Sequence, residues 1–183
     1  MNLQQNTELT PGRYFFALSP DLNSRMQIQH IMKRLPEDQS LKLQTTANLH
    51  QTLLFLGQLN QLQINTLLTN TESLSCPAIH MQFDHLSYWA EPKIYCLTSR
   101  APSSELFNLV NNLQQIASDA KIDVDVKPYQ PHITLARKAT GPVSIPIAPV
   151  RFRAQELVLM KSVSTDQGHQ YYPMMQWSIT DNG

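Results

Sequence analysis

Apolar residues occur in two kinds of run along this 183-residue chain. Short apolar runs bounded by turn residues predict buried strands, and longer segments with apolar residues three or four apart predict helices. The predicted strands are Tyr14–Leu18, Leu49–Leu56, Ile79–Leu86, Ile94–Leu97, Ile133–Ala136, Phe152–Met160 and Tyr171–Ile179. The predicted helices run from Asp21 to about Leu35, from about Asn60 to Leu74 and from Glu105 to Ala120.

A strand–helix–strand unit occurs twice in this pattern. The first unit begins at YFFALS and the second at IYCLTS, and each continues through a helix into another apolar strand. Tyr14 lies 36 residues before His50, and Ile94 lies 38 residues before His132. Two such units related by an approximate two-fold axis would bring their final strands to a shared cleft.

Each unit ends in the pattern His-x-Thr-Leu. The two copies are His50-Gln51-Thr52-Leu53 and His132-Ile133-Thr134-Leu135, which begin 82 residues apart. Successive side chains of a strand point to opposite faces. The histidine and threonine of each copy therefore share one face, and Gln51 and Leu53 point to the other.

Two imidazoles, each beside a hydroxyl, are suited to acid–base chemistry on a phosphate. One histidine can take a proton while the other gives one, because an unperturbed pKa of about 6.5 leaves both forms accessible near neutrality. The threonine hydroxyls can hold the non-bridging oxygens. Other interpretations stay open, namely histidines satisfied in a core, or two ligands of a metal site, although neither motif contains a carboxylate.

The composition is that of a globular protein, with 42% hydrophobic and 15% charged residues. The 14 basic and 14 acidic residues cancel, and the sequence shows no basic stripe of the kind that grips long stretches of phosphodiester. If the substrate is a nucleic acid, we expect the protein to read an end or a short segment.

The remaining features indicate one domain without a targeting segment. Residues 1–12 are polar and predict a flexible N-terminal tail, followed by a single domain over residues 13–183. Cys76 and Cys96 lack metal-site spacing and are expected to be buried hydrophobes. With neither a signal peptide nor an apolar run of about 18 residues, we expect no membrane association and a cytoplasmic location.

The segments RYFFALSPD, HQTLLFLG and PHITLAR together resemble the two-histidine (2H) phosphoesterase superfamily. The nearest branch is that of the bacterial and archaeal RNA 2′,3′-cyclic phosphodiesterases, also called 2′-5′ RNA ligases. The likeness extends from Arg13 to about Trp177. It implies an α+β fold of two pseudo-symmetric lobes around a central cleft, each lobe a mostly antiparallel sheet with helices on its outer face.

The resemblance also implies the roles of the motif residues. His50 would be the proton donor and His132 the proton acceptor, with Thr52 and Thr134 steadying the phosphoryl oxygens. A 2′,3′-cyclic phosphate would open to a 2′-phosphate without a metal or other cofactor. Gln51 departs from the apolar residue usual in relatives, and the segment Leu41–Asn48 is unusually polar.

The expected substrates are RNA ends or tRNA fragments that carry a 2′,3′-cyclic phosphate, with 2′-5′ ligation as the reverse reaction. Alternatives are a 2H enzyme for 2′-5′ oligonucleotides or ADP-ribose cyclic phosphate, and a catalytically silent RNA-binding module. We expect a monomer.

Other residues are weaker candidates for substrate contact. Arg137 follows the second motif. Strand alternation places it opposite His132 and Thr134, unless the end of the strand curls over the cleft. The remaining candidates are three tyrosines that could stack on bases, namely Tyr129, Tyr171 and Tyr172.

Overall fold

The computed structural model describes residues 9–72, 74–125, 127–166 and 168–180. Its strands are β1 (Gly12–Pro20), β2 (Lys42–Leu43), β3 (Gln51–Leu59), β4 (Cys76–Pro77), β5 (His80–Phe83), β6 (His85–Trp89), β7 (Ile94–Thr98), β8 (His132–Arg137), β9 (Val150–Thr165) and β10 (Gly168–Thr180). Its α-helices are α1 (Leu22–Met32), α2 (Gln61–Thr71) and α3 (Ser104–Asp119), and a 3₁₀ turn covers Thr46–Asn48.

The strands form one sheet in the order β4-β10-β9-β1-β3-β8-β7-β6, with β2 beside β8 and β5 beside β9. The described pairings are antiparallel except for β4 with β10. Helices and a mostly antiparallel sheet make this an α+β protein, as the sequence predicts.

The sheet has a seam at its centre. Strand β3 meets β8 through a single residue pair, Gln51 with Ile133, whereas the other long strands pair along much of their length. The two repeated units lie on either side, as β1–α1–β3 and as β7–α3–β8. Because Gln51 and Ile133 are the second residues of the two motifs, their pairing brings the motifs together.

Helix starts follow from capping side chains that the sequence already shows. The Asp21 carboxylate accepts from the Ser24 backbone N–H at 2.7 Å at the start of α1. Asn60 and Gln63 form a capping box for α2, and Ser103 caps α3. The helices α1 and α2 end at Met32 and Thr71, short of the predicted ends, where frayed termini are common.

The predicted strand Ile79–Leu86 is wrong as a single element. The structure breaks it at Asp84 into β5, which pairs with β9, and β6, which pairs with β7. The two pieces have different partners, which the local apolar pattern cannot reveal. The first motif strand, in contrast, continues past its predicted end through Gly57, whose positive φ of 71° a glycine adopts without strain.

Residues 1–8 of the predicted N-terminal tail lie outside the described residues. Leu9 packs against the core, and the Thr10 carbonyl accepts a hydrogen bond from the Tyr14 hydroxyl at 2.6 Å. Lys161 Nζ donates to Thr10 Oγ1 at 2.6 Å, so the start of the described chain is tied to β1 and β9.

Both cysteines are buried, as predicted. Burial raises the pKa of each thiol, Cys76 and Cys96, to about 12, so both stay protonated hydrophobes at physiological pH. Among the described residues, no helix has the length and hydropathy needed to cross a membrane.

Candidate active site

The two motifs place their histidines and threonines along the seam. His50 lies just before β3, and its Nε2 is 3.1 Å from Thr52 Oγ1, so these two side chains share a face. On β8, His132 and Thr134 are both half-buried while Ile133 between them is fully buried. All four motif side chains thus lie on the cleft side of the sheet.

Both histidines are oriented in the same way, by a hydrogen bond from Nδ1 to a backbone carbonyl. The Nδ1–H of His50 donates to the Asn48 carbonyl at 2.6 Å, and the Nδ1–H of His132 donates to the Gln130 carbonyl at 2.8 Å. In each case the acceptor lies two residues before the ring. A carbonyl partner requires the proton on Nδ1, so the neutral ring leaves Nε2 free to accept a proton.

Burial in the cleft favours neutral rings. Burial lowers the pKa of His50 to about 4, and the positive charges of His132, Arg137 and Arg25 add to this, against the opposing hydrogen bond to Asn48. Burial also lowers the pKa of His132, again with a contribution from Arg137. An anion held between the rings would oppose both effects, because opposite charge favours the protonated form.

Aromatic rings pack against each histidine. The Phe15 and Tyr171 rings lie 5.1 Å and 5.2 Å from the His50 ring, and the Trp89 ring lies 4.6 Å from the His132 ring. Sequence reasoning found neither Phe15 nor Trp89, because both belong to strands outside the motifs. These contacts limit ring rotation and help to exclude water.

A register shift occurs at the same place in both motifs. The pairing of β3 with β1 passes from Thr52 directly to Leu54, and the pairing of β8 with β7 passes from Thr134 directly to Ala136. The leucine of each His-x-Thr-Leu pattern is therefore the extra residue of a β-bulge. Such a bulge reverses the alternation of the residues that follow it.

The bulges bring two equivalent positions to the cleft. Phe55 and Arg137 each lie five residues after the motif histidine, and each follows two consecutive buried residues. The Arg137 guanidinium donates to the Tyr171 hydroxyl at 3.5 Å. Regular alternation predicted that Arg137 lies on the face opposite His132 and Thr134. The bulge at Leu135 reverses the alternation, so Arg137 lies on the cleft side instead.

Phe55 is the matching residue that sequence reasoning missed. Its side chain is 65% exposed although it lies within a strand whose other apolar residues are buried. The repeat offered a signal for it, since Phe55 occupies the position in the first motif that Arg137 occupies in the second.

Gln51 lies on the core side of β3 and is fully buried. Its Nε2 donates to the Tyr129 hydroxyl at 2.9 Å, and that hydroxyl donates to the Thr52 backbone carbonyl at 2.9 Å. Burial raises the pKa of Tyr129 well above its usual range. Tyr129 therefore supports the strand beneath Thr52, and its contact with a base stays a prediction.

Two depressions flank the motifs. The first, which we call the apolar pocket, has a volume of about 300 Å³, and its walls include Thr52, Phe55, Trp89, Tyr129 and His132. The second, which we call the basic groove, has a volume of about 770 Å³ and lies on the side of Arg137, Tyr171 and Asn48.

The other candidates lie away from the histidine pair. Tyr172 is 47% exposed and donates to Gln170, and His30 and His80 are exposed. Within the described ranges, no three or more His, Cys, Asp or Glu side chains are grouped in a way that could hold a metal ion.

Comparison with known proteins finds a family and individual proteins to which this chain is similar. The sequence model of the family described as LigT-like phosphoesterase matches residues 97–169. The RNA 2′,3′-cyclic phosphodiesterase of Escherichia coli (strain K12) is 27% identical over 172 residues, which are 93% of this chain and 98% of that protein. The RNA 2′,3′-cyclic phosphodiesterase of Bacillus subtilis (strain 168) is 29% identical over 116 residues, 61% of this chain and 62% of that protein.

Among solved structures, Escherichia coli LigT complexed with 3′-AMP superposes with a TM-score of 0.83 at 27% identity, covering 93% of this chain and 99% of that one. The resemblance to the 2H superfamily drawn from the motifs is confirmed, since part of this chain matches the LigT-like phosphoesterase family and its fold matches that of Escherichia coli LigT.

Proposed function

We propose that this protein hydrolyses the 2′,3′-cyclic phosphate at the end of an RNA to a 2′-phosphomonoester. The observation that carries the proposal is the matched pair of His–Thr motifs, in which each histidine is held through Nδ1 by a backbone carbonyl, so that Nε2 is the ring nitrogen left for proton transfer. Both curated relatives above are named for this activity.

The proposed reaction moves two protons. His132 Nε2 takes a proton from water while the water oxygen bonds to phosphorus. The bond from phosphorus to the ribose 3′ oxygen breaks, and His50 gives that oxygen a proton from Nε2. The product carries the phosphate on the 2′ oxygen, and the two histidines have exchanged their protonation states.

The donor must be charged before the reaction, although burial lowers the pKa of His50 to about 4. A cyclic phosphate carries one negative charge. Held between the rings, it would raise both pKa values, because an opposite charge nearby favours the imidazolium form. Substrate binding would thus favour the protonated form of His50, the general acid of the reaction.

The neighbouring groups are placed to assist. Thr52 Oγ1 already contacts His50 Nε2 at 3.1 Å, so an oxygen held near that nitrogen is also within reach of the hydroxyl. Thr134 takes the equivalent place beside His132, and Arg137 offers positive charge to the phosphoryl oxygens. The exposed ring of Phe55 and the ring of Trp89 make the apolar pocket suited to the terminal nucleobase.

The test is to replace each histidine. We expect His50→Ala and His132→Ala each to lower kcat on an RNA oligomer with a 2′,3′-cyclic phosphate by a factor of about 100 or more. The double variant should be little worse than either, because the two act in one step. His30→Ala, an exposed histidine on α1, is the matched control. Near wild-type turnover by either single variant would disprove the paired assignment.

The same assay separates the alternatives. Separation of 2′- from 3′-phosphate products tests the direction of ring opening, and EDTA-treated protein should keep its activity. Loss of activity on chelation with rescue by a divalent ion would replace this mechanism with a metal site. Faster turnover of 2′-5′ oligonucleotides or ADP-ribose cyclic phosphate would favour those substrates, and binding of RNA without turnover would favour a silent module.

The specific substrate, the reverse reaction, the oligomeric state and the location are proposed from the sequence analysis. We propose RNA ends or tRNA fragments as the substrates, with 2′-5′ ligation as the reverse reaction when a ribose hydroxyl replaces water. A monomer located in the cytoplasm, with one domain over residues 13–183, completes the proposal.

A further inference from the structure

The basic groove begins beside the histidine pair. Arg137 and Tyr171 belong to its walls, and the Tyr171 ring lies 5.2 Å from the His50 ring. Its volume of about 770 Å³ is within the range of about 300–1,000 Å³ that is common for ligand sites. A molecule bound at the histidines can therefore extend directly into the groove.

The walls of the groove concentrate positive charge. Their ionisable groups are Lys42, Lys93, Arg137, Lys138 and His169, with two tyrosine hydroxyls, and no carboxylate is among them. The described residues show no ion pair for any of these three lysines, whose side chains are all exposed. In a chain of net charge zero, this is a local excess of positive charge.

The nearest carboxylates do not cancel this charge. Asp38 lies outside the walls, and its carboxylate accepts hydrogen bonds from Ser40 and from Thr140 at the rim. Glu91 is exposed in the turn before Lys93 and is not part of the walls.

Two of the lysines occupy a backbone conformation that suits other residues better. Lys93 has φ of 61° and Lys138 has φ of 60°, in the left-handed region that favours glycine and asparagine. The Ala139 N–H donates to the Lys93 carbonyl at 3.0 Å. This hydrogen bond holds the segments of Lys93 and Lys138 together at the wall of the groove.

We propose that the basic groove binds the phosphodiester backbone of the nucleotides on the 5′ side of the cyclic phosphate. This rests on the function proposed above. A terminal cyclic phosphate leaves the RNA only one direction of continuation, through the 5′ oxygen of its last ribose. The apolar pocket on the His132 side suits the base, and the groove on the Arg137 side suits the strand.

The chemistry of the walls fits a strand read without regard to sequence. Exposed lysines neutralise phosphates as point charges, and tyrosine rings offer surfaces for stacked bases. Recognition of this kind makes the enzyme prefer an RNA end to a free cyclic nucleotide, and the preference weakens as salt rises.

The test compares two substrates with the same terminal nucleotide, a nucleoside 2′,3′-cyclic phosphate and an oligoribonucleotide with that end. The variant combines Lys42→Gln, Lys93→Asn and Lys138→Asn, because asparagine tolerates the left-handed backbone. Lys121→Asn is the matched control. Lys121 also has a positive φ, of 55°, but lies at the end of α3 and outside the groove.

We expect kcat/KM on the oligoribonucleotide to fall about tenfold or more in the triple variant, and kcat/KM on the mononucleotide to change less than about twofold. The slope of log kcat/KM against log salt for the oligoribonucleotide should become shallower by about two, at about 0.7 for each lost phosphate contact. The control should match the wild type. An equal loss on both substrates, or no loss on either, would overturn the groove proposal.

A binding measurement separates this proposal from the function itself. The anisotropy of a labelled oligoribonucleotide ending in a 2′-phosphate reports strand binding without turnover. If the wild type hydrolyses neither substrate, the proposed function fails, and weaker binding by the lysine variant alone still supports the groove. If hydrolysis is normal and the variant binds as tightly as the wild type, the groove fails and the function stands.

The wild type gives a further readout if the triple variant does not fold. Its kcat/KM on the oligoribonucleotide should fall more steeply with salt than its kcat/KM on the mononucleotide, since only the longer substrate releases counterions from the groove. Equal salt dependence for the two substrates would contradict the proposal.

Discussion

The protonation of His50 and His132 depends on whether an anion is bound between the two rings. Burial lowers the pKa of both rings, that of His50 to about 4. The proposed mechanism needs one charged and one neutral ring at the same moment, so the two titrate as a pair. Their pH dependence is therefore a property of the site as a unit.

The first prediction concerns the pH profiles. The kcat/KM profile reports the free enzyme and the kcat profile reports the substrate complex. Because the free rings have lowered pKa values and bound phosphate raises them, we expect two bell-shaped curves, with the kcat/KM maximum on the acid side of the kcat maximum. Steady-state assays with a cyclic mononucleotide between pH 4 and 9 measure both. Coincident curves, or flat ones where chemistry limits the rate, would contradict the prediction.

The roles of the two rings can be read from what remains after mutation. At a pH below the maximum of the profile both rings become charged, so no base is left. At a pH above the maximum both become neutral, so no acid is left. With His132 as acceptor, His132→Ala should abolish the acidic limb of the residual activity, and His50→Ala the basic limb. The reverse pattern would exchange the two roles.

At the scale of elements, β3 is supported from behind by a residue outside the motifs, Tyr129. The Tyr129 hydroxyl accepts from the buried Gln51 amide and donates to the Thr52 carbonyl. It thereby joins the segment before β8 to the core face of the first motif strand. This network replaces the apolar packing that an apolar residue at position 51 would give.

The second prediction follows from this network. Tyr129→Phe leaves a buried amide and a carbonyl without their partner, so the free energy of unfolding should fall by roughly 1–3 kcal/mol in urea titrations. Tyr172→Phe is the control, because its hydroxyl donates to Gln170 at an exposed site and its loss should cost under about 0.5 kcal/mol. A Tyr129→Phe protein as stable as the control would show that this network does not stabilise β3.

Most elements could be predicted because their signals are local. Capping residues at Asp21, Asn60 and Ser103 mark the helix starts. The break between β5 and β6 could not be predicted, because it depends on which distant strand each piece joins. The two motif bulges likewise depend on the register with β1 and β7.

At the scale of the whole molecule, the two motif histidines also affect the pH dependence of folding stability. A ring that is neutral when folded and free to charge when unfolded makes folding sensitive to acid. Between about pH 6.5 and the lowered pKa of about 4 for His50, the unfolded chain binds the extra proton. His132 acts in the same direction.

The third prediction is a loss of stability in that window. The contribution of His50 should be fully present above pH 6.5 and decline as the pH falls towards 4, by about 1–3 kcal/mol. Urea titrations at a series of pH values measure it. His50→Ala should flatten the decline, and His30→Ala, an exposed ring, should leave it unchanged. An equally steep decline without His50 would exclude the ring as its source.

The sequence by itself determined the motif pairs, the α+β class and the repeat, because alternation, capping and helical spacing act over a few residues. Only the tertiary structure decided that Arg137 and Phe55 turn to the cleft, since a bulge is set by the strand alongside. It also assembled Lys42, Lys93 and Lys138 from three separate segments into one groove. The net charge of zero does not reveal this groove, because it is a sum over the whole chain. Only the folded structure determines where the individual charges lie.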